Sequence, residues 1–401
     1  MAIIKLIIYI LEIIVFAYIG LTILYLFLFS FLGLLNQDIP KNKQKIIRRF
    51  AVLIPGYKED NVIVEVAQQA LIQTYSQENF DVVIIADSFK PETISKLKEL
   101  PIKLIEVSFE VSTKAKALNQ AMKQLGDNYD VALVLDADNI MNKDFIEKIN
   151  DSFNRGFKIV QGHRIAKNTN NSFAILDAVS EEINNTIFRK AHRVVGLSSA
   201  LIGSGMAFDY KLFKNEMANI KAIGGFDKEL EMNFLRNKIL IEYVDDAYVK
   251  DEKVQKTDAF QNQRRRWLSA QFIYFGKNIL PATFHLLTKV NFDYFDKTIQ
   301  MGQLPRIILL GLTGIIATFY TILYFIFPAF LSINYVYWIA LLGTLMFSLL
   351  ISIPKQFYNK RTANAILSLP KGFFLMIISL LKFKGANKKF IHTEHGLINE
   401  N

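Results

Sequence analysis

Two aspartates, Asp136 and Asp138, close the apolar run VALVLDAD, and a third, Asp87, closes the run DVVIIAD. Carboxylates two residues apart at a strand end can point to one side of a sheet edge and offer oxygens to a hard cation. Such an ion suits a diphosphate leaving group, because charge builds on its oxygens as the bond breaks. Strand-end aspartates also cap helices and close turns, so the spacing alone leaves both uses open. The chain has no cysteine, and its five histidines form no ligand pattern of the His-Glu-x-x-His kind. Any metal is therefore held by oxygens.

Two later stretches carry further chemistry. In QRRRW, Arg266 can grip phosphate oxygens bidentately and Trp267 offers a flat apolar face to a sugar ring. The arginine run also reads as a basic cluster beside a membrane, and the two roles are compatible. In GGFDKELEMNF, the acids Asp227, Glu229 and Glu231 can supply a general base for a hydroxyl, or simply favour the first turn of a helix. Asp251 and Glu252, in VKDEKV, either border the site or form a solvated turn. His163, His192, His392 and His395 have no partners that the sequence identifies.

These residues need strands and helices to hold them. AVLIPGY, DVVIIAD and VALVLDAD are short β-branched runs separated by helical patterns such as STKAKALNQAMKQL. From about Arg49 to Gln271 the alternation predicts a parallel-sheet α/β domain, with its informative polar residues at strand ends, where open sheets bind ligands. Apolar segments flank it. Ile13 to Leu35 is uncharged and long enough to cross a bilayer at about 1.5 Å per residue. Lys41, Lys43, Lys45, Arg48 and Arg49 follow it and by the positive-inside rule put the next domain in the cytoplasm.

A second uncharged block, Ile307 to Pro354, breaks near Pro328 to Asn334 and reads as a transmembrane helical hairpin. Arg306, Lys355, Lys360 and Arg361 flank it on the cytoplasmic side. The expected divisions are an anchor at 1–36, a cytoplasmic domain at 41–270 and an interfacial amphipathic segment at 271–305. The hairpin at 306–354 follows, then an interfacial or re-entrant segment and basic tail at 355–401, with Pro370 interrupting its apolar run and Lys382, Lys384, Lys388 and Lys389 after it. Composition agrees: of 401 residues 51% are hydrophobic, and the apolar ones gather at the two ends. The net charge of +10 lies mainly beside the apolar segments with no nucleic-acid motif, which points to lipid headgroups and an anionic substrate rather than nucleic acid.

Taken in order, these signals make the chain resemble the family 2 glycosyltransferases, especially the membrane-bound cellulose, chitin and hyaluronan synthases. The resemblance covers about Arg49 to Gln271. VLIPGYKED looks like that family's opening strand and loop, which sets Tyr57 and Glu59 beside the nucleotide base, with Asp87 as the base-binding aspartate. Lys114 in TKAKALN matches its lysine-containing nucleotide segment, and LDADN its metal and diphosphate motif, with Asp138 the direct ligand and Asp136 beside it. Gly203, Ser204 and Gly205 in GSGMAF are similar to the small-residue loop that admits the acceptor, and Gln263, Arg266 and Trp267 fit the Gln-x-x-Arg-Trp signature. The family's Thr-Glu-Asp triplet is absent; Glu229 is the nearest counterpart of its base, ahead of Asp227 and Glu231.

The resemblance implies a Rossmann-like nucleotide-diphospho-sugar transferase fold of GT-A type with N- and C-terminal transmembrane helices. It further implies Mg2+ or Mn2+, a nucleotide-sugar donor, and inverting transfer to a lipid-linked or polysaccharide acceptor at the cytoplasmic face of a plasma or inner membrane. Polysaccharide-assembly proteins are the expected protein partners. A catalytically degenerate nucleotide- or glycan-binding subunit of an export assembly is the rival expectation, and the altered triplet supports it.

Overall fold

The computed structural model describes residues 2–36, 45–220, 222, 224–254, 257–326, 333–383 and 385. Lys41, Lys43, Pro328, Lys384, Lys388, Lys389, His392 and His395 lie outside the described residues.

An apolar helix, α1 (Ala2–Leu32), precedes the sheet. Strands β1 (Phe50–Tyr57), β2 (Phe80–Asp87), β3 (Lys103–Val107) and β4 (Val131–Val134) run parallel, linked through α2 (Ile63–Ala70), α3 (Pro91–Lys98) and α4 (Lys114–Leu125). The chain continues through β5 (Ile140–Met141), α5 (Phe145–Asn154) and β6 (Ile159–Ala166). Helix α6 (Ser172–Asn184) then runs through a π-helical turn, Asn185–Lys190, into α7 (Ala191–Val194). Strand β7 (Met206–Asp209), α8 (Tyr210–Met217), α9 (Phe226–Arg236) and β8 (Ile241–Asp251) complete the eight-stranded sheet, in the order β3-β2-β1-β4-β7-β6-β8-β5.

The sheet is mixed rather than wholly parallel. Its β7 lies antiparallel to β4 and β6, and β5 antiparallel to β8. The loop after α7 delivers the chain to the edge where β4 ends, since Met206 pairs with Val134, so β7 must run back. Four residues of MAFD carry no sequence signal of that direction.

Both faces of the sheet are covered, which is why its strands read as continuous apolar runs. Ala51 and Leu53 of β1 face a core with Leu118 of α4 and Leu230 of α9, while Phe50, Val52 and Ile54 face Val66 of α2 and Ile149 of α5. Truncating one of these buried aliphatic side chains to alanine costs roughly 2–5 kcal/mol.

Helix α10 (Thr257–Lys289) follows, then α11 (Phe292–Gly302), α12 (Arg306–Ile326), α13 (Tyr335–Ile351), α14 (Lys360–Ile366) and α15 (Leu369–Leu381). The expected division between 270 and 271 falls inside α10. Ala270, Tyr274 and Ala282 of α10 and Tyr294 and Met301 of α11 are buried in the same core as α9, while Leu268 packs on Ile308 of α12 and Met376 of α15. Among the described residues, Leu6–Leu32 and Arg306–Ile326 are long and apolar enough to cross a membrane; α14 and α15, bent by 49°, add a third if the pair is one span. Helix α13 is a shorter apolar helix, set against α1 through Trp338 and Phe16, ring centroids 5.1 Å apart. Helix α6 joins sheet and membrane helices: Ile175, Val179 and Ile183 pack with Ile19 and Ile23 of α1, and Arg306 donates to Asn184 Oδ1 at 2.7 Å.

Candidate functional site

Parallel pairing brings the first group of residues to one edge. Tyr57 and Asp87 are register partners at the ends of β1 and β2, and Asp136 follows the end of β4 next door. Asp87 is buried; its carbonyl accepts from Lys58 N–H at 3.1 Å and its carboxylate from Ser88 Oγ at 2.9 Å. Lys58 and Ser88 sit at φ of 56° and 60°. Left-handed backbone at two adjacent non-glycine strand ends is a strain that clusters at ligand loops. Glu59 is buried beside them, and its carbonyl starts α2 by accepting from Ile63 N–H at 3.1 Å.

Just past β4 and at the end of β8 lies an acidic cluster. Asp136, Asp138 and Asp251 each bring one carboxylate oxygen to within 4.8 Å of the others. Asn139 Nδ2 spans two of them, donating to Asp138 Oδ1 and to Asp251 Oδ1, both at 3.2 Å, and Glu252 N–H donates to Asp138 Oδ2 at 2.9 Å. Lys253 Nζ lies 2.9 Å from Asp251 Oδ2 and Lys114 Nζ 2.5 Å from Asp136 Oδ1. Burial opposes ionisation of Asp251, but Lys253 and Arg164 outweigh it and hold the carboxyl below its ordinary range. Oxygen-only donors at this spacing fit a hard divalent ion such as Mg2+ or Mn2+.

Asp251 is the residue whose part the sequence left undecided. Its position comes from β8 lying beside β6, Ala166 opposite Asp251, and from β5 after Asp138 folding onto β8, Ile140 opposite Lys250. That long-range register has no local signal.

Thr113 sets Lys114 in place by capping α4, its side chain accepting from Lys116 N–H at 3.2 Å. Lys114 Nζ also donates to Gly203 O at 2.7 Å. Asp136 N–H donates to Ser204 Oγ at 3.0 Å, and Ser204 Oγ in turn bonds Asn139. The Gly203–Gly205 loop is thereby tied to the acidic cluster. Gly205 has φ of 62°, and a Cβ there would meet Val249 Cγ1 at 2.8 Å.

The acids of α9 separate. A Cβ on Gly203 would lie 3.8 Å from the carboxyl carbon of Asp227, so Asp227 faces the loop. Burial raises its pKa, against the pull of Lys228. Glu229 turns to α10, where Tyr274 OH donates to it at 3.0 Å. Glu231, fully buried, accepts from Leu201 N–H at 2.9 Å while Lys228 Nζ donates to Leu201 O at 2.6 Å. Glu231 and Lys228 clamp the loop from both sides of one residue.

On α10, burial holds the Arg266 guanidinium below its ordinary pKa, and the charge of Asp136 acts in the opposite sense. Trp267 is 43% exposed. Arg264 stacks between Phe260 and Trp267, 4.7 and 4.4 Å from their centroids, and pairs with Asp177 of α6, so one arginine of the triplet serves packing. Gln263 Oε1 is buried with no hydrogen-bond partner among the described residues. The geometry can hold a divalent ion and a phosphorylated ligand, with a carboxylate across a small-residue loop.

Comparison with known proteins bears on the family and the fold. The family described as "Glycosyltransferase like family 2" matches residues 48–270. No curated protein matches the chain in sequence. Among solved structures, the mannosyltransferase PcManGT from Pyrobaculum calidifontis, in complex with GDP-Man and Mn2+, is similar at TM-score 0.52 and 16% identity, over 84% of this chain and 96% of that one. S. aureus TarS is similar at TM-score 0.40 and 16% identity, over 84% of this chain and 55% of TarS. Glucosyl-3-phosphoglycerate synthase from Mycobacterium tuberculosis, in complex with Mn2+, uridine-diphosphate and glucosyl-3-phosphoglycerate, is similar at TM-score 0.41 and 13% identity, over 60% and 87%.

Proposed function

The chain belongs to the glycosyltransferase family 2-like proteins, and from that membership we propose that it moves a sugar from a nucleotide sugar to an acceptor hydroxyl at a membrane, with inversion. The observation that carries this reading is the meeting of Asp136, Asp138 and Asp251 with Lys114 and the Gly203 loop, Asp227 facing that loop. A Pyrobaculum neighbour of the same GT-A fold is solved with GDP-Man and Mn2+, which agrees with the ligand classes chosen.

Asp87, with Tyr57 and Glu59, takes the nucleotide base. Asp136, Asp138 and Asp251 hold Mg2+ or Mn2+, which when bound neutralises charge on the leaving diphosphate. Lys114 and Arg266 bind phosphate oxygens from the protein side, and Gln263 and Trp267 complete the nucleotide-sugar site, Trp267 offering a flat apolar face to the sugar ring. Asp227 takes the proton of the acceptor hydroxyl as its oxygen attacks the anomeric carbon; the bond from that carbon to the diphosphate breaks on the opposite face. A carboxyl whose pKa burial has raised is a better base near neutral pH. Glu229 was the sequence counterpart of the base, and its bond to Tyr274 favours Asp227 instead.

The domain at 41–270 lies on the cytoplasmic side of a plasma or inner membrane. The anchor at 1–36, the segment at 271–305, the hairpin at 306–354 and the region 355–401 bring it to a lipid-linked or polysaccharide acceptor and to polysaccharide-assembly partners. The second reading, a degenerate nucleotide- or glycan-binding subunit, draws on the missing Thr-Glu-Asp triplet.

Membranes bearing the protein are expected to release nucleoside diphosphate from at least one of a panel of nucleotide sugars with Mn2+ or Mg2+, and Asp138→Asn to abolish that release. Retained nucleotide binding without release from any donor would support the binding subunit.

A further inference from the structure

The segment from Leu197 to Ile202, which leads into the Gly203–Gly205 loop, is held by charged side chains from several elements. Its carbonyls accept from Arg193 Nη1 at Leu197 (2.8 Å), from Lys297 Nζ at Ser198 (3.2 Å), from Arg189 Nε at Ala200 (3.4 Å) and from Lys228 Nζ at Leu201 (2.6 Å). Its amides are held too: Ser198 N–H donates to Asp293 Oδ1 at 2.8 Å, as Leu201 N–H does to Glu231. Charge-assisted bonds of this kind are stronger than neutral ones and fix geometry. Two grips of one design result, each with a carboxylate on the amide and a lysine on the carbonyl of one residue. Helix α9 supplies the grip at Leu201, and α11 the grip at Ser198, where Lys297 is itself buried.

Helix α11 is in turn fixed by the N-terminal membrane helix. Tyr25 OH of α1 donates to Asp296 Oδ1 at 2.8 Å and lies 2.8 Å from Nε2 of His192 on α7, a fully buried ring that stacks on Phe29 of α1 at 4.0 Å. Gln300 closes the group by donating to Asp296 Oδ2 at 2.7 Å. Two turns away on α1, Tyr18 OH donates to Gly302 O at 3.0 Å and accepts from Leu304 N–H at 3.1 Å. The hydrocarbon core offers a hydroxyl no partner, and both tyrosines bond the α11 region instead. Asp296 stands between Asp293 and Lys297 in sequence, so α1 meets α11 on the turn that grips Ser198.

We propose that α1 is a positioning element of the site as well as an anchor: Tyr25, acting through Asp296 and the grip of Asp293 and Lys297 on Ser198, sets where the Gly203–Gly205 loop stands. This rests on the reading of that loop as the acceptor's side of the site. A sheet domain deprived of α1 keeps its strand ends and acidic cluster but loses one of the two grips that place the loop. Transfer is then conditional on the seating of the membrane helix against α11.

Hydrogen–deuterium exchange of the purified full-length protein in lipid discs tests this. Tyr25→Phe keeps the ring and removes one hydroxyl. In that variant the amides of residues 198–205 are expected to exchange about tenfold faster than in the wild type, the factor for loss of about one hydrogen bond, while those of β2 are unchanged. In a Lys297→Met background, where the grip on Ser198 is already broken, Tyr25→Phe should add less than about twofold. Membranes bearing Tyr25→Phe should release nucleoside diphosphate about tenfold more slowly with the KM for the nucleotide sugar unchanged. Unaltered exchange at 198–205 in Tyr25→Phe overturns the proposal, as does equal acceleration in β2, full additivity with Lys297→Met, or release at the wild-type rate. If wild-type membranes release no nucleoside diphosphate from any donor, the acceptor reading of the loop falls, and the exchange measurement still decides whether Tyr25 sets the loop's place.

Discussion

Asp227, Glu229 and Glu231 share one helix yet meet three different neighbours: a glycine loop, a tyrosine hydroxyl and a backbone amide. Their substitutions should therefore fail in different ways. Asp227→Asn is expected to slow transfer by about 10²- to 10⁴-fold while nucleotide binding persists, as measured by single-turnover kinetics and donor titration. Glu229→Gln keeps a hydrogen-bonding partner for Tyr274 and should change the rate only a few-fold, within about 1 kcal/mol. If Glu229→Gln suffers the larger loss, the base is Glu229. Asp87, Asp136 and Asp138 were legible in the sequence because each closes an apolar run. The meeting of Asp251 with them and the different neighbours of the α9 acids were not, since both depend on contacts made by distant strands and by Tyr274.

Between residues and molecule stand the elements that carry them. The Gly203–Gly205 loop is closed in by Val249 of β8 and clamped at Leu201 by α9. Gly205→Ala is expected to displace the loop at a cost of about 1–3 kcal/mol in stability, combining a crowded Cβ with a left-handed backbone. Val249→Ala on the same chain should recover part of that loss, and a thermal-melting double-mutant cycle measures the coupling. Equal losses in the single and double variants would show that crowding against Val249 is not the cause. The alternation of strands and helices up to β4 was readable from β-branched runs and helical periodicity. Beyond it, the reversed β7 and the uninterrupted α10 were not: one is too short to show a period, and the other mixes core-facing, membrane-facing and charged positions.

At the scale of the molecule, the apolar ends and basic flanks announced the membrane segments, and the absence of cysteine makes their topology easy to probe. Single cysteines at Ile333→Cys, before α13, and Gln356→Cys, after it, should label oppositely with a membrane-impermeant maleimide. The Ile333→Cys protein is expected to react in intact cells and the Gln356→Cys protein only after permeabilisation. The reverse pattern would turn the catalytic domain to the outside.

Helix α10 belongs to the sheet's core through Ala270, Tyr274 and Ala282 and to the membrane helices through Leu268. A fragment ended near Gln271 would strip Tyr274, Ala282, Tyr294 and Met301 from that core, and one ended after α11 would bare Leu268 to water. Neither cut yields a self-contained enzyme, so crystallisation, screening and inhibitor work on this protein need detergent or a lipid disc from the start.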